Sequence, residues 1–132
     1  MNFDDMEKAA LGLGERRDCA VKAVAAVTDT HYVDVHGLMA RYGREACQPT
    51  PTDISRRVLA ALGFHTKDVT DCYKSKTIRT LGREMKYRAG VYLVWTSSGH
   101  HILAIVDGQV CDWTEGRCHR IHKIERVFRK SA

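Results

Sequence analysis

Apolar positions along this chain keep two different periods, and the change between them divides it. Asp18 is an N-cap candidate for CAVKAVAAVTD, whose alanines and valines predict a packed helix from Cys19 to about Val27. In YVDVHGLMARYG, Val35, Leu38, Met39 and Tyr42 fall at i, i+3, i+4 and i+7, an apolar helix face ended by Gly43. Ile54, Val58 and Leu62 mark a third helix closed by Gly63, and Thr77 caps a short fourth one carrying Ile78, Leu81 and Met85. Pro49 and Pro51 punctuate GREACQPTPT, which reads as an exposed loop. From Ala89 the period becomes strand-like: GVYLVWTS is β-branched and aromatic, HILAIV and QVCDW flank the turn dipeptide Asp107-Gly108, and RVFRK adds a last strand. Helices first and an antiparallel sheet after them is the α+β pattern.

At 132 residues the chain fits one domain with one core. It divides into an N-terminal extension (1–13), a mainly helical half (14–88) and a β-sheet half (89–132). A net charge of +5 permits attraction to nucleic acid or to acidic protein, but the basic residues are scattered and read first as a soluble basic surface. No apolar run approaches the ~20 residues that span a bilayer, so no membrane partner is expected. The N-terminus lacks a basic segment followed by an apolar one, which predicts a cytoplasmic protein, and the five cysteines are expected as free thiols.

The hairpin assigns chemistry. With Asp107-Gly108 at the centre of a type I′ turn, Val106 pairs with Gln109, Leu103 faces Asp112 and His101 faces Thr114. His101 and Asp112 then share a face as diagonal neighbours, roughly 7 Å apart at Cβ. His100 projects to the other face with Ile102, Ala104 and Cys111; a one-residue slip would exchange the two histidines. A histidine held by a carboxylate commonly serves a nucleophile or a metal. Cys19, in the first helical turn, is the nucleophile candidate, because a helix N-terminus favours the thiolate. Asp18 opposes that with its own charge.

These residues resemble the papain-like cysteine peptidase fold, with a cysteine opening a helix, a histidine on a strand and an Asn or Asp on its neighbour. GERRDCAVKAVAAVT, GREACQP and GVYLVWTSSGHHILAIVDGQVCDW, in that order, are similar to small papain-like proteins of tailed phages and prophages, over about Gly14 to Val127. The resemblance implies an α+β papain-like fold, N-terminal helices (the first carrying the cysteine) packed on a C-terminal antiparallel β-sheet. It also implies a Cys19–His101–Asp112 triad, with Cys19 as nucleophile, His101 as base and Asp112 orienting it. The function implied is a cysteine hydrolase (peptidase, isopeptidase or amidase/deamidase) without cofactor or metal, acting in the host cytoplasm on a protein or peptide, with an acidic host protein suiting its charge. Papain-like peptidases usually carry an oxyanion glutamine before the cysteine; the only glutamines here are Gln48 and Gln109. The Cys19 amide is one expected donor, and the second is left to another amide or to Arg17. Asp18, Gly99, His100 and Trp113 complete the near-site residues, although Trp95 and Trp113 both read first as core.

Two other readings compete. Cys111, Cys118, His119 and His122 are zinc-ligand types at spacings that match no common zinc motif. A catalytically weak or inactive papain-like scaffold that binds a host protein or nucleic acid would also account for the missing glutamine and the basic charge.

Overall fold

A computed structural model describes residues 2–97 and 101–130. The element order is α1 (Phe3–Gly12), α2 (Cys19–Thr28), α3 (Tyr32–Arg41), α4 (Thr52–Ala61), β1 (Phe64–Asp68), a 3-10 turn (Thr70–Cys72), α5 (Ile78–Glu84), β2 (Val91–Thr96), β3 (Ile102–Val106), β4 (Gln109–Cys111) and β5 (Ile121–Arg129). The architecture is α+β, with four helices ahead of a five-stranded antiparallel sheet of order β1-β5-β2-β3-β4.

Helix α2 is buried on nearly every side because it is built of Ala and Val, and it lies against β3, β2, α3 and α4. Its last turn closes on Asp29 in the left-handed region (φ 52°), with Thr30 N–H donating to Ala25 C=O at 3.1 Å. Strand β3 is buried on both faces, so its side chains enter two cores. Ile102 and Ala104 meet α1 to α4 with Met6, Val21, Val24, Met39 and Val58. Leu103 and Ile105 meet α5 and Tyr73, with Ile78, Leu81 and Met85. Each such fully buried aliphatic residue contributes about 2–5 kcal/mol against truncation to Ala.

Three expectations change. Residues 3–12 are a helix rather than an extension: Asn2 caps it, its side chain accepting from Asp5 N–H at 2.8 Å, and Met6 and Ala10 seat it in the core. The cysteine therefore opens the second helix, not the first. Strand β1 lies inside the span read as helical, and β5 begins five residues before RVFRK.

Candidate active site

The hairpin register follows the turn. Val106 pairs with Gln109, Ile105 with Val110 and Ala104 with Cys111. Asp107 (φ 48°) and Gly108 (φ 84°) both take the positive φ that a type I′ turn requires. The ladder stops at Cys111, and Asp112 follows at its end. His101 sits just before β3, where its carbonyl accepts from Thr96 N–H at 2.9 Å. There the His101 Nε2 meets Asp112 Oδ2 at 2.7 Å, with the two side chains 18% and 5% exposed. Thr114 donates to the same oxygen from its backbone N–H at 3.2 Å and its hydroxyl at 2.6 Å. That Asp-x-Thr turn fixes the carboxylate before the imidazole arrives.

With Nε2 engaged by Asp112, Nδ1 is the ring nitrogen left to face Cys19, whose thiol is near enough for the two groups to shift each other's titration. Burial pushes the thiol up, but His101, by hydrogen bond and charge, and the amides of Ile102 and Ala20 outweigh it, so Cys19 titrates below the ordinary thiol value. Burial alone would push His101 down; bonds to Asp112 and Cys19 and their charges instead raise it to about 9. Both shifts run in the direction of a thiolate–imidazolium pair.

The start of α2 reinforces this. Lys22 N–H donates to Asp18 C=O at 3.1 Å, so the amides of Cys19, Ala20 and Val21 precede the helical ladder. Asp18 does not cap them, contrary to its sequence reading. Its buried carboxylate instead accepts from Tyr32 Oη at 2.7 Å and pairs with Lys22 at 3.2 Å, and Lys22 also binds Glu7. The positive end of the helix thus stays open to the thiolate, and the Asp18 charge is answered elsewhere.

The turn before Cys19 is anchored by a group that sequence reasoning missed. Glu15 accepts from Arg44 Nη1 and Nη2 at 3.0 Å each and from Cys47 N–H at 2.6 Å, and its Oε2 lies 2.7 Å from His36 Nε2. The Arg44 and Glu15 side chains are 2% and 1% exposed. Their partners lie 29 residues apart, beyond any local sequence signal.

Trp113 is not core. Half exposed, it lays its ring 5.3 Å from the His101 ring and is met edge-on by His119 at 5.2 Å, with the Arg117 guanidinium 5.5 Å from it. Trp95 is half-buried beneath Lys123, whose ammonium stands 4.3 Å from its ring. Arg17 is exposed, with left-handed backbone (φ 53°), and makes no hydrogen bond or ion pair among the described residues. Gly99 and His100 lie outside the described residues. Among the described residues no three His, Cys, Asp or Glu side chains are grouped to hold a metal ion.

A groove of about 360 Å³ opens beside the thiol. Cys19 and Ala20 meet there with Pro49, Thr50, Pro51, Thr52 and Ser55 on the helical side and Trp95 and Ile102 from the sheet. The loop with both prolines is thus a wall of the site. Among the described residues no charged side chain lines the groove. Comparison with known protein families, curated proteins and solved structures finds no match to this chain.

Proposed function

We propose that this protein is a papain-like cysteine hydrolase, a peptidase, isopeptidase or amidase, with Cys19 as nucleophile, His101 as proton carrier and Asp112 as its orienting carboxylate. One observation carries the reading: a His101–Asp112 hydrogen bond of 2.7 Å stands beside the Cys19 thiol, which opens a helix and lines a groove with no charged side chain among the described residues. The groove suits the uncharged acyl side of an amide substrate.

The thiolate attacks the amide carbon, forming a C–S bond as the carbonyl becomes an oxyanion. The Cys19 and Ala20 amides at the open end of α2 are the donors nearest that charge. Imidazolium gives its proton to the leaving nitrogen, the C–N bond breaks, and a thioester remains. Neutral His101 then takes a proton from water as it attacks, and the acid departs with the thiolate restored. Without a glutamine donor, turnover is expected on the order of 10²–10³ below that of a full oxyanion hole.

The test is the pH dependence of iodoacetamide alkylation at each cysteine. Cys19 should react fastest near neutrality, ahead of exposed Cys72 and Cys118 and of Cys111, whose thiol burial pushes up. Its half-rise should lie below ~8.5 and move up in His101→Ala, slowing neutral-pH alkylation about tenfold or more. A Cys19 no faster than Cys72, or indifferent to His101→Ala, ends the proposal.

A further inference from the structure

Helix α5 carries Arg79 and Arg83 one turn apart, and Lys86 follows in the turn after it; all three are exposed and line one cleft of about 490 Å³ against the β3–β4 hairpin. None of the three forms an ion pair among the described residues. The acid on the same helix, Glu84, is spent on the other side, accepting from Ser75 N–H at 3.1 Å and from its hydroxyl at 2.6 Å. Of the two carboxylates at the cleft, Asp107 accepts from Gly90 N–H at 2.9 Å, which leaves Glu115 on the rim. Ile78 behind its base is fully buried and Val110 is 6% exposed, so what the cleft offers a ligand is its cationic wall.

The cationic wall also leads to the site. Arg79 N–H donates to Arg117 C=O at 2.9 Å, the Arg117 guanidinium stands over Trp113, and Trp113 packs on His101. We infer that this face docks an acidic segment of a protein substrate whose acyl group reaches Cys19. The inference rests on the hydrolase reading for its reaction but on charge and shape for its docking. An extended peptide presents every second side chain to one face at about 7 Å spacing, so carboxylates at i and i+2 can meet neighbouring cations of the cleft while the side chain between them points away. A nucleic-acid backbone would meet the same cations but would bring no acyl group to Cys19.

Fluorescence anisotropy with three labelled decapeptides, Glu/Leu-rich, Lys/Leu-rich and Ser/Gly-rich, and with a single-stranded oligonucleotide tests the docking. The Cys19→Ala protein isolates binding from turnover. The Glu/Leu peptide should bind tightest, weaken about tenfold or more in Arg79→Glu/Arg83→Glu, and weaken as salt rises. The double variant alters exposed side chains, so its circular dichroism and, in the Cys19 protein, its alkylation rate by iodoacetamide should not change. A Glu/Leu peptide bearing a chloroacetamide should then label Cys19 faster than its Lys/Leu counterpart, and the double variant should erase the advantage. Equal binding of acidic and neutral peptides, affinity untouched by charge reversal, or preference for the oligonucleotide overturns the inference. An inert Cys19 with charge-dependent acidic binding supports the docking face and removes the hydrolase reading instead.

Discussion

Three donors converge on Asp112 Oδ2, and one of them is the His101 imidazole. The carboxylate is held by Thr114 whether or not the histidine is charged, so it stands ready to raise His101 by its hydrogen bond first and by its negative charge second. Asp112→Asn keeps the shape and removes that charge. His101 is expected to fall from about 9 toward ~6.5 or below, since burial alone disfavours the imidazolium. The sign for reactivity follows: a neutral imidazole no longer stabilises the thiolate, so Cys19 titrates higher and alkylates more slowly at neutral pH. Proton NMR of the His101 ring across pH reads the shift directly, and a variant still titrating near 9 would assign the elevation to Cys19 alone. In the wild type, hydrolysis that needs the imidazolium should decline as pH rises through about 9.

The β3–β4 hairpin delivers Asp112, and its register depends on a turn with no room for a side chain. Gly108 has φ 84°, and a Cβ there would stand 2.3 Å from the Lys86 carbonyl oxygen. Gly108→Ala should lower stability by about 2 kcal/mol or more, read as a fall in urea midpoint. Gly82 is the contrast: its φ is helical and a Cβ would touch Val110 at 3.4 Å. Gly82→Ala should instead gain about 0.5–1 kcal/mol as a helix-interior replacement. Equal effects at the two glycines would contradict the turn's role. The same hairpin was legible because turn dipeptide and alternation are local, and the Cys19 helix because alanine and valine leave little choice. Strand β5 was legible only in its RVFRK end, because IHKIE before it is interrupted by charge; Glu125 is buried only by virtue of Arg56, at 3.1 and 2.8 Å, and Lys123 at 3.3 Å. Helix α1 was hidden by its exposed Leu11, which blurs the apolar face carrying Met6 and Ala10. Trp113 misled by its type: a tryptophan beside strand residues reads as core, whereas here it covers an ion pair.

Across the whole molecule, helices bring the thiol and the sheet brings the imidazole, so the pair exists only while the two layers stay in register. The helical layer is tied together around Glu15, which joins the turn before Cys19 to α3 through His36 and to the following loop through Arg44 and Cys47. The Arg44 guanidinium first, then His36 and the amides of Arg16 and Cys47, overcome burial and hold the Glu15 carboxyl well below the usual range. A depressed carboxyl contributes stability that is fully present above its unfolded value near ~4.5 and is lost as pH falls through the folded one. Wild-type stability should therefore drop on acidification by about 1.4 kcal/mol more per pH unit than that of Glu15→Gln, beginning below ~4.5. At neutral pH the variant should already be weaker by about 3–5 kcal/mol, because Arg44 is left buried without its counter-charge. Urea titrations of both proteins from neutrality to about pH 3 measure the two limbs. Parallel acid limbs would mean that Glu15 is not the anchor. Should Glu15→Gln lie below the other by the expected margin yet keep fast alkylation at Cys19, the network is a clamp on the fold, with the thiolate set by His101 and the open end of α2.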